Sequence, residues 1–174
     1  MKRLLMLLVI TPVYATDTVY IDQVGDFNNI TVDQSAGDSQ KAIILNQGYN
    51  NMLTITQQGP GAHMAFIGTP PAGQSAGSYV TSIAPNNNNN ILNIFQTGSG
   101  NHTAAINLDK NTTNNNNNAS ILQAGSVPKT FVFNLSGSGI TATAVQDNAT
   151  VPDVGSMSIQ CLAPPCSGYS YVKH

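Results

Sequence analysis

The stretch from Gln23 to Gln34, "QVGDFNNITVDQ", runs Gln, any residue, Gly, two residues, Asn, one residue, an apolar residue, three residues, Gln. The order returns along the chain. Gln34 stands eleven positions after Gln23, Asn46 twelve further on and Gln57 eleven after that. Later, Gln96 and Asn107 are eleven apart, Gln123 and Asn134 are eleven apart, and Gln146 lies twelve beyond Asn134. Two and four positions before each amide the residues are mostly apolar, as at Ile44 and Ala42 or Ile55 and Leu53. Gly25, Gly48, Gly59, Gly98 and Gly125 sit two positions after it. Alternation of period two inside a period of eleven describes a strand, a tight turn and another strand. Repetition at a fixed period describes stacked coils.

Two degenerate units extend the series, one ending at Gly68 and one at Pro85, which lie eleven after Gln57 and eleven before Gln96. The step then lengthens at two insertions, irregular loops over 69–78 and 110–118. The Asn runs at 86–90 and 114–118 fall at or beside predicted turns, where Asn tolerates a left-handed backbone. A disordered amide-rich tract is the competing reading of such runs.

The expected fold is therefore all-β, a two-sheet β-solenoid of strand-turn-strand repeats in which two units make a coil of about 22 residues. In that frame positions 23, 46, 68, 96, 123 and 146 stack on one sheet, and 34, 57, 85, 107 and 134 on the other. The apolar residues point between the sheets. The carboxamides of Gln23, Gln34, Asn46, Gln57, Gln96, Asn107, Gln123, Asn134 and Gln146 are expected to bond up and down the stack as amide ladders. An inward amide left unpaired would cost roughly 1–3 kcal/mol, so a ladder must run on or be capped. The same frame turns Leu45, Ile67, Phe95, Leu122 and Val145 outward as one apolar column, and Phe131 and Phe133 outward on the second sheet. An exposed apolar column marks a contact, here a lateral one with another copy or beneath a C-terminal segment.

The repeat resembles the curlin repeat of curli-type functional amyloid subunits, Gln-x-Gly-x-x-Asn-x-Ala-x-x-x-Gln. Gln23, Gly25, Asn28, Ile30 and Gln34 carry it with Ile for Ala. Asn46, Gly48, Asn51, Leu53 and Gln57 carry it with Asn in the first place, and Gln96, Gly98, Asn101, Thr103 and Asn107 carry it with two replacements. Gln123, Gly125 and Asn134 match in part. The resemblance spans roughly 19–146. It implies a two-sheet β-solenoid whose subunits assemble into extracellular amyloid-like fibres of cross-β character.

The rest of the chain sets the context. "MKRLLMLLVITPVYA" has two basic residues, a short apolar run and a small residue at Ala15, the pattern of a signal peptide cleaved near Ala15. The run is too short to span a bilayer. The organisation expected is a signal peptide over 1–15, solenoid repeats over 16–148, and a C-terminal tail or cap over 149–174. Only 8% of the chain is charged and its net charge is −2. No basic patch exists to neutralise phosphates, so nucleic acid is not an expected partner. Cys161 and Cys166 enclose "LAPP" and in an exported chain are expected to form a disulfide, with free thiols or an intermolecular bond as alternatives.

No catalytic, cofactor-binding or metal site is expected. No nucleophile elbow, phosphate loop or acid–base pair is present. Asp22, Asp26, Asp33 and Asp38 cluster without the Asp-x-Asp-x-Asp-Gly order of a calcium loop. His63 and His102 fall in or near turns and read as solvated residues. The functional expectation is a secreted structural protein, stacking end to end with copies of itself into fibres at or outside the cell surface. The alternative is a capped β-solenoid adhesion module of a cell-surface or virion appendage, meeting glycans or other cells.

Overall fold

The computed structural model describes residues 17–37, 39–68, 87–109 and 111–174. The expected signal peptide, Asp38, the 69–78 loop and the unit ending at Pro85 lie outside those residues. Among the described residues every regular element is a strand. They are β1 (Thr18–Val24), β2 (Asn29–Ser35), β3 (Lys41–Gln47), β4 (Met52–Gln58), β5 (Met64–Gly68), β6 (Ile91–Thr97), β7 (Thr103–Leu108), β8 (Asn118–Ala124), β9 (Lys129–Gly137), β10 (Ile140–Gln146), β11 (Asp153–Cys161) and β12 (Cys166–Lys173).

Odd and even strands form separate sheets. The first has the order β1-β3-β5-β7-β9-β11, the second β12-β10-β8-β6-β4-β2, six strands in each. All pairings are parallel. Each odd–even pair is one coil, so the described residues form a β-solenoid of six coils, the expected class. The 149–174 segment is built as the sixth coil, since β11 pairs with β9 and β12 with β10.

Each coil is longer than two units of eleven. Gln34 pairs with Gln57, a sequence separation of 23. Gln57 pairs with Gln96, Gln96 with Gln123 and Gln123 with Gln146, at separations of 39, 27 and 23. The extra residue lies at the corner that leads from the second sheet back to the first. From Gln96 to Leu108 and from Gln123 to Leu135 the step is twelve, not eleven, as it already is from Gln34 to Asn46.

That single residue changes which sheet face several side chains occupy, because the pleat alternates with every position. A step of eleven puts Asn107 and Asn134 inside. Instead, Ala104, Ile106 and Leu108 and, above them, Phe131, Phe133 and Leu135 form the core. Phe131 and Phe133 were expected outside; both are fully buried and meet edge to face at 5.0 Å. β5 shifts likewise. Ala65 and Ile67 point inward, and Phe66, expected inside, joins Ile43, Leu45, Ala105 and Val132 in a second apolar cluster on the outer face of the first sheet. The stacking is corrected too. β6 pairs directly with β4, which puts Gln96, Gln123 and Gln146 on the sheet of Gln34 and Gln57.

The turns follow from backbone chemistry. Asn50, Asn89 and Asn116 hold left-handed φ of 57°, 55° and 56°, so the described parts of both Asn runs serve as turns. Between the sheets the apolar layer is thin, and half-buried Ile21, Ile30 and Val32 at one end and Met157 and Tyr171 at the other pack against it.

Candidate functional site: amide ladders and the solenoid ends

The second sheet brings five of the nine expected amides into one ladder. Gln34 Nε2 donates to Gln57 Oε1 at 2.8 Å, Gln57 to Gln96 at 2.9 Å, Gln96 to Gln123 at 2.8 Å and Gln123 to Gln146 at 2.8 Å. The second N–H of each inner amide bonds across the coil to a backbone carbonyl at the start of the facing strand. Gln57 takes Lys41, Gln96 takes Met64, Gln123 takes Thr103 and Gln146 takes Thr130. Gln57, Gln96, Gln123 and Gln146 are fully buried, and each fills its two donors.

The other four amides lie elsewhere. Gln23 and Asn46 are in register on the first sheet, but their amides bond locally, Gln23 Nε2 to the Gly25 carbonyl and Asn46 Oδ1 from Asn51. Asn107 and Asn134 form a separate pair on the outer face, at 2.8 Å, continued by Ser158 at 3.3 Å.

A second ladder runs along the opposite corner through Asn28, Asn51, Asn90 and Asn117. Each Oδ1 accepts the backbone N–H of the next rung: Asn51 N to Asn28 at 3.0 Å, Asn90 N to Asn51 at 2.9 Å, Asn117 N to Asn90 at 3.0 Å and Ile140 N to Asn117 at 2.8 Å. Asn28 and Asn51 belong to the quoted motif. Asn90 and Asn117 were hidden in the homopolymers, and the signal that finds them is an Asn immediately before each even strand from β2 to β8.

A third column leads into the first sheet. Asp17, Gln40, His63, His102, Lys129 and Asp153 precede or open successive odd strands and stack from coil to coil. His63 and His102 were expected in solvent. They are fully buried, with ring centroids 5.0 Å apart and planes within 9°. Their Nε2 atoms lie 3.1 Å from the carbonyls of Gln58 and Thr97, which assigns the proton to Nε2 and leaves both Nδ1 atoms without a partner. Burial lowers the pKa of both, that of His102 to about 4. Lys129 is buried beside them, its ammonium on the carbonyls of Asn148 and Val151, and burial lowers its pKa as well.

The sign of the histidine effect is fixed. Both rings are held neutral in the fold, whereas in the unfolded chain each takes up a proton near 6.5. Stability they provide is complete above about pH 6.5 and is lost as pH falls toward 4. The melting temperature is expected to drop by several degrees between pH 7 and 4.5, and H63Q/H102Q, which copies Gln40 of the same column, should remove most of that drop. Equal slopes for both proteins in calorimetry would refute the assignment.

The two ends of the solenoid differ. At the C-terminal end Gln146 Nε2 donates to Asp153 Oδ2 at 2.7 Å, and Tyr171 Oη and Lys173 Nζ reach the same carboxylate at 3.0 Å. Burial would push the Asp153 carboxyl up, but these three donors together hold it below its ordinary value. The turn into β12 is closed by the Cys161–Cys166 disulfide, and β12 is bulged against β10 between Ile140 and Ala142. At the N-terminal end Val19 is 40% exposed and β1 and β2 have no outer neighbour among the described residues.

The expected lateral column divides. Ile67 is core and Leu45 lies on the first sheet, so neither belongs to it. Phe95, Leu122 and Val145 are in register on the outer face of the second sheet and are continued by Val172. Among the described residues no group of three His, Cys, Asp or Glu could hold a metal, and no helix is long and apolar enough to cross a membrane. No family model, curated protein or solved structure matches the chain.

Proposed function

We propose that this chain is a secreted structural protein, a curlin-like subunit that stacks end to end with copies of itself into extracellular amyloid-like fibres. The β-solenoid fold is compatible with a structural, repeat-type protein. One observation carries the reading further: an in-register parallel ladder of backbone and glutamine amides that stops, at its first rung, on a strand pair with no outer neighbour among the described residues. An unpaired strand edge of that kind templates another strand, and stacking of identical rungs satisfies every backbone group along the axis. Most of the buried glutamine and asparagine amides among the described residues are committed to ladder bonds, which favours a structural role over catalysis.

A second reading has its own support. The bulged last strand, the disulfide-closed turn and the Asp153 cluster terminate the ladder, as a cap would, and a capped solenoid would present its faces as an adhesion module.

Incubation of the mature chain over a range of concentrations separates the two. The fibre reading expects negative-stain filaments, light scattering that grows with concentration, and oriented diffraction near about 4.8 Å along the filament axis. A monomer of constant mass at every concentration would reject it in favour of the module.

A further inference from the structure

We propose that copies dock in one polarity only, head to tail, with the Lys173 ammonium of one copy entering a notch formed by Asp17 and Gln34 on the first coil of the next. This rests on the stacking reading above and specifies its direction and its contacts. The glutamine ladder is directional: from Gln34 to Gln146 every Nε2 points toward the C-terminal end and every Oε1 toward the N-terminal end. A stack that keeps the ladder must therefore bring a donor to Gln34 Oε1, which has none among the described residues. Lys173 is that donor. It pairs in register with Gln146 and so occupies the ladder position of the last coil.

The neighbouring column repeats the match. Gln146 of the fifth coil donates to Asp153 of the sixth. Advanced by one coil, the same step carries Lys173 to Asp17 of the next copy, because Asp17 opens the column that Asp153 closes. Asp17 Oδ1 accepts the Gln40 N–H at 2.8 Å, while its Oδ2 is buried and unpartnered. Lys173 spends one N–H on Asp153 Oδ1 at 3.0 Å, and its side chain is 47% exposed. An ammonium has three donors, so two remain, matching the two acceptors waiting at the head. The apolar layers meet as well, since the columns that end in Tyr169 and Tyr171 of β12 at the tail begin with Ile30 and Val32 of β2 at the head. The reverse polarities set lysine against lysine or aspartate against aspartate and are excluded by like charge.

The test is a charge exchange on the full chain, read as filament elongation from wild-type seeds and as filament mass in the mixture. K173E and D17K, each alone, bring like charges together at every junction and should elongate about tenfold more slowly or worse. Mixed in equal amounts they can alternate: the altered tail meets the altered head, and the native tail meets the native head. The mixture should then assemble at close to the wild-type rate. K173M tests the donor without placing a second carboxylate beside Asp153, and it should also slow elongation while the melting temperature stays within a few degrees. Normal elongation by the single variants, or a mixture as slow as its parts, would overturn the proposed contact while leaving stacking in place. A wild-type chain that never assembles would remove the stacking reading and the contact with it.

Discussion

Replacing Gln96 by Leu is expected to lower the unfolding free energy by about 3–5 kcal/mol, well beyond the cost of losing the end rung. Leucine has nearly the same volume, so the loss is not that of a cavity. It comes from groups left behind. Gln57 Nε2 loses its acceptor, Gln123 Oε1 loses its donor, and the Met64 carbonyl loses its cross-coil bond. All lie against a side chain fully shielded from water, and each orphaned buried group costs roughly 1–3 kcal/mol. Gln34→Leu removes one bond at a partly open end, from a residue that water still reaches, and is expected to cost about 1 kcal/mol. Chemical denaturation of the two variants gives the comparison. Equal, small losses would mean that the ladder contributes nothing beyond the apolar layer. Because each coil touches only its neighbours, the Gln96 defect should also separate the unfolding of the first coils from that of the last.

This contrast shows what was legible in the sequence. Periodicity sufficed for the class of fold, since Gln, Gly and alternating Ile, Val and Ala recur whatever the length of each corner. It also sufficed for the regular coils, where Gln34 and Gln57 occupy matching rungs. It failed where one residue decided the pleat. The amides at Asn107 and Asn134 are a step of eleven from Gln96 and Gln123, which made them look like ladder positions; the corner takes twelve, and Leu108 and Leu135 fill the interior instead. The aromatic pair Phe131 and Phe133 held the corrective signal, because two same-face phenylalanines are more stable inside than out. Composition also misled for His63 and His102. Their neighbours are turn residues, so they read as solvated, and only the stack of one coil on the next creates the buried column in which they lie. The Asn28–Asn117 ladder was half visible, in the motif, and half masked by homopolymers in which one Asn looks like any other.

Gly98→Ala is expected to be as damaging as the Gln96 substitution, at about 4 kcal/mol or more, and for a reason no contact in the native protein displays. Gly98 has φ of +107°, a region that L side chains rarely enter, and a Cβ there would lie 2.3 Å from the Gly125 carbonyl oxygen of the next coil. Backbone cannot yield as a flexible side chain would. The coils would have to part, stretching the bond from Gly125 N to the Thr97 carbonyl at 3.2 Å and disturbing the Gln96–Gln123 rung just before it. Gly168→Ala separates strain from crowding. It too has positive φ, +86°, but nothing lies within 4 Å of its added methyl, so only the conformational penalty of about 1–2 kcal/mol applies. If the two alanine variants melt together, coil spacing is not what glycine protects. If Gly98→Ala alone collapses and becomes protease-sensitive at the 98–102 corner, then close approach of backbone to backbone is the condition on which both the internal ladder and any stack of subunits depend, since the same spacing must be kept across the junction from β12 of one copy to β2 of the next.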